Sequence, residues 1–153
     1  MAIQATEIAT AFAALSPFDG DIKIIDLDAV KDKVLPRDTP LLMPSFNFYT
    51  SPIITPDSFG SGSSAQYTIV YNLTYRFFYK SVAASRKRSQ ILQGLVGKTT
   101  AIIDNIIPND SLLPSIDFRV ASVGAFDQVM DPSNVTAFWG TDIVIQVTEF
   151  ING

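Results

Sequence analysis

The chain has 153 residues, a net charge of −4, and neither histidine nor cysteine. Their absence removes the commonest general base and metal ligand, every thiol mechanism and any disulfide framework. Charged residues make up only 17% against 47% hydrophobic, and a surface short of charge is often one that something else covers. A pI near 4.6 argues against nucleic-acid binding as the main role, because that role needs a basic patch.

Residues 2–15 carry Ile8, Ala11, Phe12 and Leu15 at helical spacing, which predicts an amphipathic helix ended by Ser16-Pro17. The segment lacks the basic start of a secretory signal, and no apolar run approaches the roughly 20 residues needed to cross a bilayer. The expected setting is a soluble, intracellular site of synthesis with no membrane partner. Ile22–Leu27 reads as a short strand, and 29–35 as one or two turns of helix.

Residues 41–55 are apolar and aromatic but contain Pro44 and Pro52. Proline cannot donate to a ladder, so this is an edge strand, a bulged strand or two short strands. Residues 56–65 form a Gly/Ser-rich loop carrying Phe59, Gly60, Ser61 and Gly62; Phe59 either meets a partner or folds back on its own strand. Gln66–Lys80 then alternates without a break: Tyr67, Ile69, Tyr71, Leu73, Tyr75, Phe77 and Tyr79 share one parity, with Val70 and Phe78 as apolar exceptions on the other. Such alternation marks a strand with one buried face. Fifteen extended residues span about 50 Å, whereas a compact domain of this size is only about 40 Å across. The strand is therefore expected to bend or to reach past its own domain, with the Tyr67 end touching a neighbour.

Residues 85–107 predict the main helix, with an apolar stripe of Ile91, Leu92, Leu95, Val96, Ile102, Ile103, Ile106 and Ile107 broken by Thr99, and with Ser85 or Ser89 as N-cap. Strands follow at 116–123 and 141–150; in the latter Ile143, Ile145 and Val147 point inward. The expected fold is a single α+β domain over 1–153. It has one antiparallel or mixed β-sheet, a long β-hairpin over about 41–80, and helices packed on one face.

The search for chemistry yields little. Gly94–Thr99 lacks the leading glycine of a phosphate-binding loop, since Leu92 stands there; Gly94 and Gly97 instead suit close approach of another element to the helix. Asp26, Asp28 and Asp32 are the only tight acidic group and read as solvated charges. Arg86, Lys87 and Arg88 form the one concentrated basic run. At a helix start they oppose the macrodipole, so they either meet an acidic partner or a phosphate, or are simply solvated. The aromatic face of 66–80 is a possible base-stacking platform, but a buried core or subunit interface accounts for it more simply. No catalytic, cofactor or metal site is expected, and the chain is not expected to be an enzyme.

The order of an N-terminal helix, a long aromatic hairpin tipped by Phe59-Gly-Ser-Gly-Ser-Ser64, a helix over 90–107 and a closing hairpin ending Phe138-Trp-Gly-Thr-Asp-Ile-Val-Ile-Gln-Val-Thr-Glu149 resembles the tail terminator (tail completion) proteins of tailed bacteriophages. The resemblance implies a hexameric ring in the virion, made in the host bacterial cytoplasm. The ring would cap the tail tube and join it to the head-side neck (head-completion) protein, with DNA passing through the lumen unbound. Phe59, Gly60, Ser61, Gly62, Tyr67, Arg86, Lys87 and Arg88 are the candidate interface residues. The alternatives are another neck or tail structural protein, such as a head-completion or tube protein, and a small enzyme or ligand carrier with a pocket at Tyr71 and Tyr75.

Overall fold

The structure, a computed structural model, describes residues 5–17, 20–56, 66–82, 87–106 and 116–152. Along the chain lie α1 (Ala5–Ala13), β1 (Lys23–Ile24), β2 (Leu41–Pro56), β3 (Gln66–Ser81), α2 (Arg88–Ile106), β4 (Ile116–Val123), β5 (Asp127–Met130) and β6 (Ala137–Asn152). They form one mixed sheet ordered β1-β2-β3-β6-β4, with β5 also paired to β6. The fold is the expected α+β arrangement: one sheet with a long hairpin, and both helices on one face.

Alternation builds the front face. Ile69, Tyr71, Leu73, Tyr75 and Phe77 of β3 are buried beside Ile143, Ile145 and Val147 of β6, under Ile8, Ala9 and Phe12 of α1 and Leu95 and Ile102 of α2. Thr99, which interrupts the stripe on α2, is buried too; its hydroxyl donates to the Leu95 carbonyl at 2.8 Å, so the helix itself satisfies it. Phe12 packs on Tyr75 and Phe118, with ring centroids 5.9 and 5.4 Å apart.

The apolar exception Phe78 has its own explanation. It points to the back face and joins Val34, Leu41, Met43 and Phe138 in a second core, meeting Phe138 edge-on at 5.4 Å. At this end the sheet is covered on both faces. That is why Leu41-Leu42-Met43 and Phe77-Phe78 are unbroken apolar runs.

The long strand, expected either to bend or to reach past its own domain, is paired along its length within its own sheet. β3 pairs with β6 from Gln66↔Asn152 to Ser81↔Phe138, and with β2 from Tyr67↔Pro56 to Phe78↔Leu41. Its 16 residues are matched by two strands of equal length, and register shifts at Phe78/Lys80 and in β2 absorb curvature. β2 remains a single strand despite Pro44 and Pro52 because both adjoin a bulge: residues 45–48 sit opposite Thr74 alone, and 51–52 opposite Tyr71 alone.

Other expectations need adjusting. The helix expected at 29–35 is replaced by single 3-10 turns at Leu27–Ala29 and Pro36–Asp38. The Asp26 carboxylate caps the first turn by accepting from the Leu27 N–H at 2.7 Å, and Val34 is pulled into the second core. Ser89 lies inside α2 and is not its N-cap; Ser85 falls outside the described residues. Gly94 does permit a close approach, since the Tyr79 hydroxyl occupies the space a Cβ would need, whereas Gly97 faces open space.

Candidate functional site

Of the predicted interface residues, Tyr67, Lys87 and Arg88 are described. Phe59, Gly60, Ser61, Gly62 and Arg86 lie outside the described residues. Tyr67 is half-buried on β3 between Pro56 and Ile151, while Lys87 and Arg88 are exposed where α2 begins, past the other end of β3. The Arg88 guanidinium lies 5.9 Å from the centre of the Trp139 ring, giving part of the basic run an aromatic partner within its own chain.

What surrounds Tyr67 is more informative. At that end of the sheet Ile53 is 62% exposed, Phe150 52% and Ile54 47%. Ile53 lies opposite Val70, and Phe150 opposite Thr68, so on the back face Ile53, Val70 and Phe150 share a patch with Thr55 and Thr148. Ile54, opposite Ile69, belongs to the front face. No charged residue occurs in 41–56 or in 66–75. Among the described residues, strand pairing places Asp117 and Arg119 of β4 on the back face beside the patch, opposite Thr148 and Gln146. Sequence reading missed the patch because an outward apolar residue in an alternating strand looks like an isolated exception. Ile53, Val70 and Phe150 become neighbours only through cross-strand register.

A second feature sits nearer the middle of β2. Phe46 rises from the bulge at 45–48 and is fully exposed. Beside it a groove of about 410 Å³ runs along the back face, walled by Val30, Met43, Pro44, Phe78 and Met130. Its floor holds Arg76 and Asp142. The Arg76 Nε and Nη2 donate to the two Asp142 carboxylate oxygens at 2.7 and 3.1 Å, and its Nη1 donates to the Met130 carbonyl at 3.2 Å. The Asp142 hydrogen bonds raise the Arg76 pKa further. This pair neutralises itself, leaving the exposed Asp32 as the one other charged side chain lining the groove among the described residues.

Tyr71 and Tyr75 line no accessible site; both are core residues. Burial pushes the Tyr71 phenol far above its ordinary value, reinforced by the buried Glu149 carboxylate. Burial does the same to Tyr75, with a smaller contribution from Asp26, and the Tyr75 hydroxyl has no hydrogen-bond partner among the described residues. Phenols held neutral in a packed core do not serve as acids or bases at ordinary pH. Among the described residues no three His, Cys, Asp or Glu side chains gather where they could hold a metal ion, and no helix is long and apolar enough to cross a membrane. No family model matches the chain, and no curated protein matches it.

Proposed function

We propose that this chain is a structural, non-enzymatic subunit of a tailed-phage virion: a tail terminator that forms a six-fold ring, caps the tail tube and joins it to the head-side neck protein. The observation that carries this reading is the apolar patch on the back face of the sheet, where Ile53 and Phe150 stand exposed beside Val70 on neighbouring strands. Contiguous exposed apolar surface on a soluble protein is characteristic of a docking face. Repeated contacts between unlike surfaces close into a ring when the rotation permits. The long hairpin and the order of helices and strands support the same reading. DNA would pass through the lumen without a specific site.

Native mass spectrometry of the protein alone and mixed with tube protein tests the reading. A terminator gives or completes a six-fold ring and arrests tube growth. Ile53→Asp together with Phe150→Asp should abolish that arrest while the protein stays folded. Self-polymerisation into long tubes would instead identify a tube protein, and binding to neck protein without tube arrest a head-completion protein.

A further inference from the structure

We propose that the outer edge of β4 docks a second copy of this chain, the two β4 strands pairing antiparallel about a two-fold axis through Phe118. β4 ends the sheet order, and among the described residues no strand pairs with its outer side. An open edge presents unpaired N–H and C=O groups, and the partner that satisfies a row of them is another extended strand. The Gly124 N–H donates to the Asp142 carbonyl at 2.8 Å. Alternation along β6 from that point aims the backbone groups of Gln146 and Thr148 at β4, toward Arg119 and Asp117. The N–H and C=O groups of Ile116, Phe118 and Val120 therefore point outward, where a neighbouring strand can exchange hydrogen bonds with them.

The side chains select the strand. Asp117 and Arg119 are both exposed on the back face, and among the described residues neither forms an ion pair. Antiparallel pairing about Phe118 sets Asp117 of each copy opposite Arg119 of the other, and Ile116 opposite Val120. The two charge pairs then fall at non-hydrogen-bonded positions, where opposed side chains approach most closely. Sliding by two residues in either direction sets Asp117 opposite Asp117 or Arg119 opposite Arg119, and like charges there repel. A slip of one residue sets front-face positions against back-face ones. The other edge of the sheet makes a poorer partner. β1 occupies Leu41 and Leu42, and the rest of β2 carries Pro44, Pro52, Pro56, two bulges and no charge; prolines and bulges blunt an edge. β4 therefore fits its own copy better than it fits β2. Strand addition lengthens the sheet and leaves Ile53, Val70 and Phe150 uncovered on its back face. The contact does not depend on the ring: it pairs single protomers, or it pairs rings.

Sedimentation equilibrium of the full chain over a dilution series tests the pairing. Asp117→Arg and Arg119→Asp each set like charges opposite one another at two places. Each should raise the dissociation constant about tenfold or more and halve the mass at concentrations where wild-type protein stays paired, with an unchanged far-UV circular dichroism spectrum. An equimolar mixture of the two variants should recover the wild-type affinity, because every cross-strand pair is again of opposite charge. The double variant Asp117→Arg/Arg119→Asp should recover it too. Val120→Pro removes an outward N–H while sparing the pairing with β6, and should abolish association in a folded chain. If a six-fold ring forms, the halving runs from twelve copies to six; if none forms, it runs from two to one, so loss of the ring reading leaves this one testable. A mass that neither single variant lowers, or a mixture that stays dissociated, would overturn the pairing.

Discussion

The two ends of the same three strands meet opposite fates. At the Phe78–Phe138 end, the helices cover the front face and the 25–41 segment covers the back, with Val34 and Ile25 packed against Leu41, Met43, Phe78 and Phe138. At the Ile53–Phe150 end, Ile69 and Ile116 are buried on the front face, while Ile53 and Phe150 stand bare on the back and Ile54 is half-exposed on the front. The same three long strands run through both ends, although β1 and β5 pair only at the first and β4 pairs with β6 toward the second. The difference comes from what lies on the second face, and it separates a region that stabilises the domain from one suited to meet a partner.

The sharpest way to break this contrast is to truncate one residue from each end. Phe78→Ala should cost about 3–5 kcal/mol in urea unfolding, as expected for an aromatic removed from a packed core. Ile53→Ser should stay within about 0.5 kcal/mol, the usual range for exposed positions. Comparable losses at both sites would mean that the ends do not differ in the way described.

Asp131 sharpens the account of the closed end. It is buried, and its Oδ1 accepts from the Ser133 hydroxyl at 2.8 Å and from the Val135 and Thr136 N–H groups at 3.2 Å, while Oδ2 accepts from the Val34 N–H at 3.2 Å. One carboxylate thus ties the β5–β6 turn to the segment that seals the second core. Burial alone would raise its pKa, but the bonds from Ser133, Thr136, Val34 and Val135 outweigh it and hold the carboxyl below its ordinary value of 3.8. A depressed folded value means that the stabilisation is present above 3.8 and is lost as pH falls through the folded pKa. Asp131→Ala should cost about 2–3 kcal/mol at neutral pH, because charged hydrogen bonds are lost and buried donors are left unpaired. Asp131→Asn should flatten the acid limb of the stability–pH curve, and an unchanged limb would show that the carboxylate is not the lock.

The smallest expected effect tests the front face that both ends share. Gly97→Ala should stabilise by up to about 1 kcal/mol, the helix-propensity difference, because nothing stands in its way. Gly94→Ala should forfeit that gain, since the Tyr79 ring must move aside. In thermal melts only Gly97→Ala should therefore move upward, and equal gains would show that α2 does not sit as closely on β3 as described.

Much of this was legible in the sequence. The alternation of Gln66–Lys80 marked which side chains are core, and Ile143, Ile145 and Val147 face inward as their spacing requires. Residues 116–123 form the expected strand to the residue. The short β5 was not legible, because four residues pairing only with the start of β6 carry too little periodicity to be recognised. Nor was the survival of β2 as one strand, since a proline reads as a break until the bulge that accommodates it is known.

The sequence by itself determined the fold class and the buried face of each long alternating strand, because both depend on local spacing and composition. The catalytic inventory was likewise limited from the outset by the missing histidine and cysteine. Only the tertiary structure decided what happens on the back face. Phe78 and Val70 look alike as apolar exceptions on β3, yet one is sealed beneath Val34 and the other stands beside Ile53 and Phe150. Whether an outward apolar side chain becomes core or interface depends on a segment distant in the chain, and alternation carries no information about that distance.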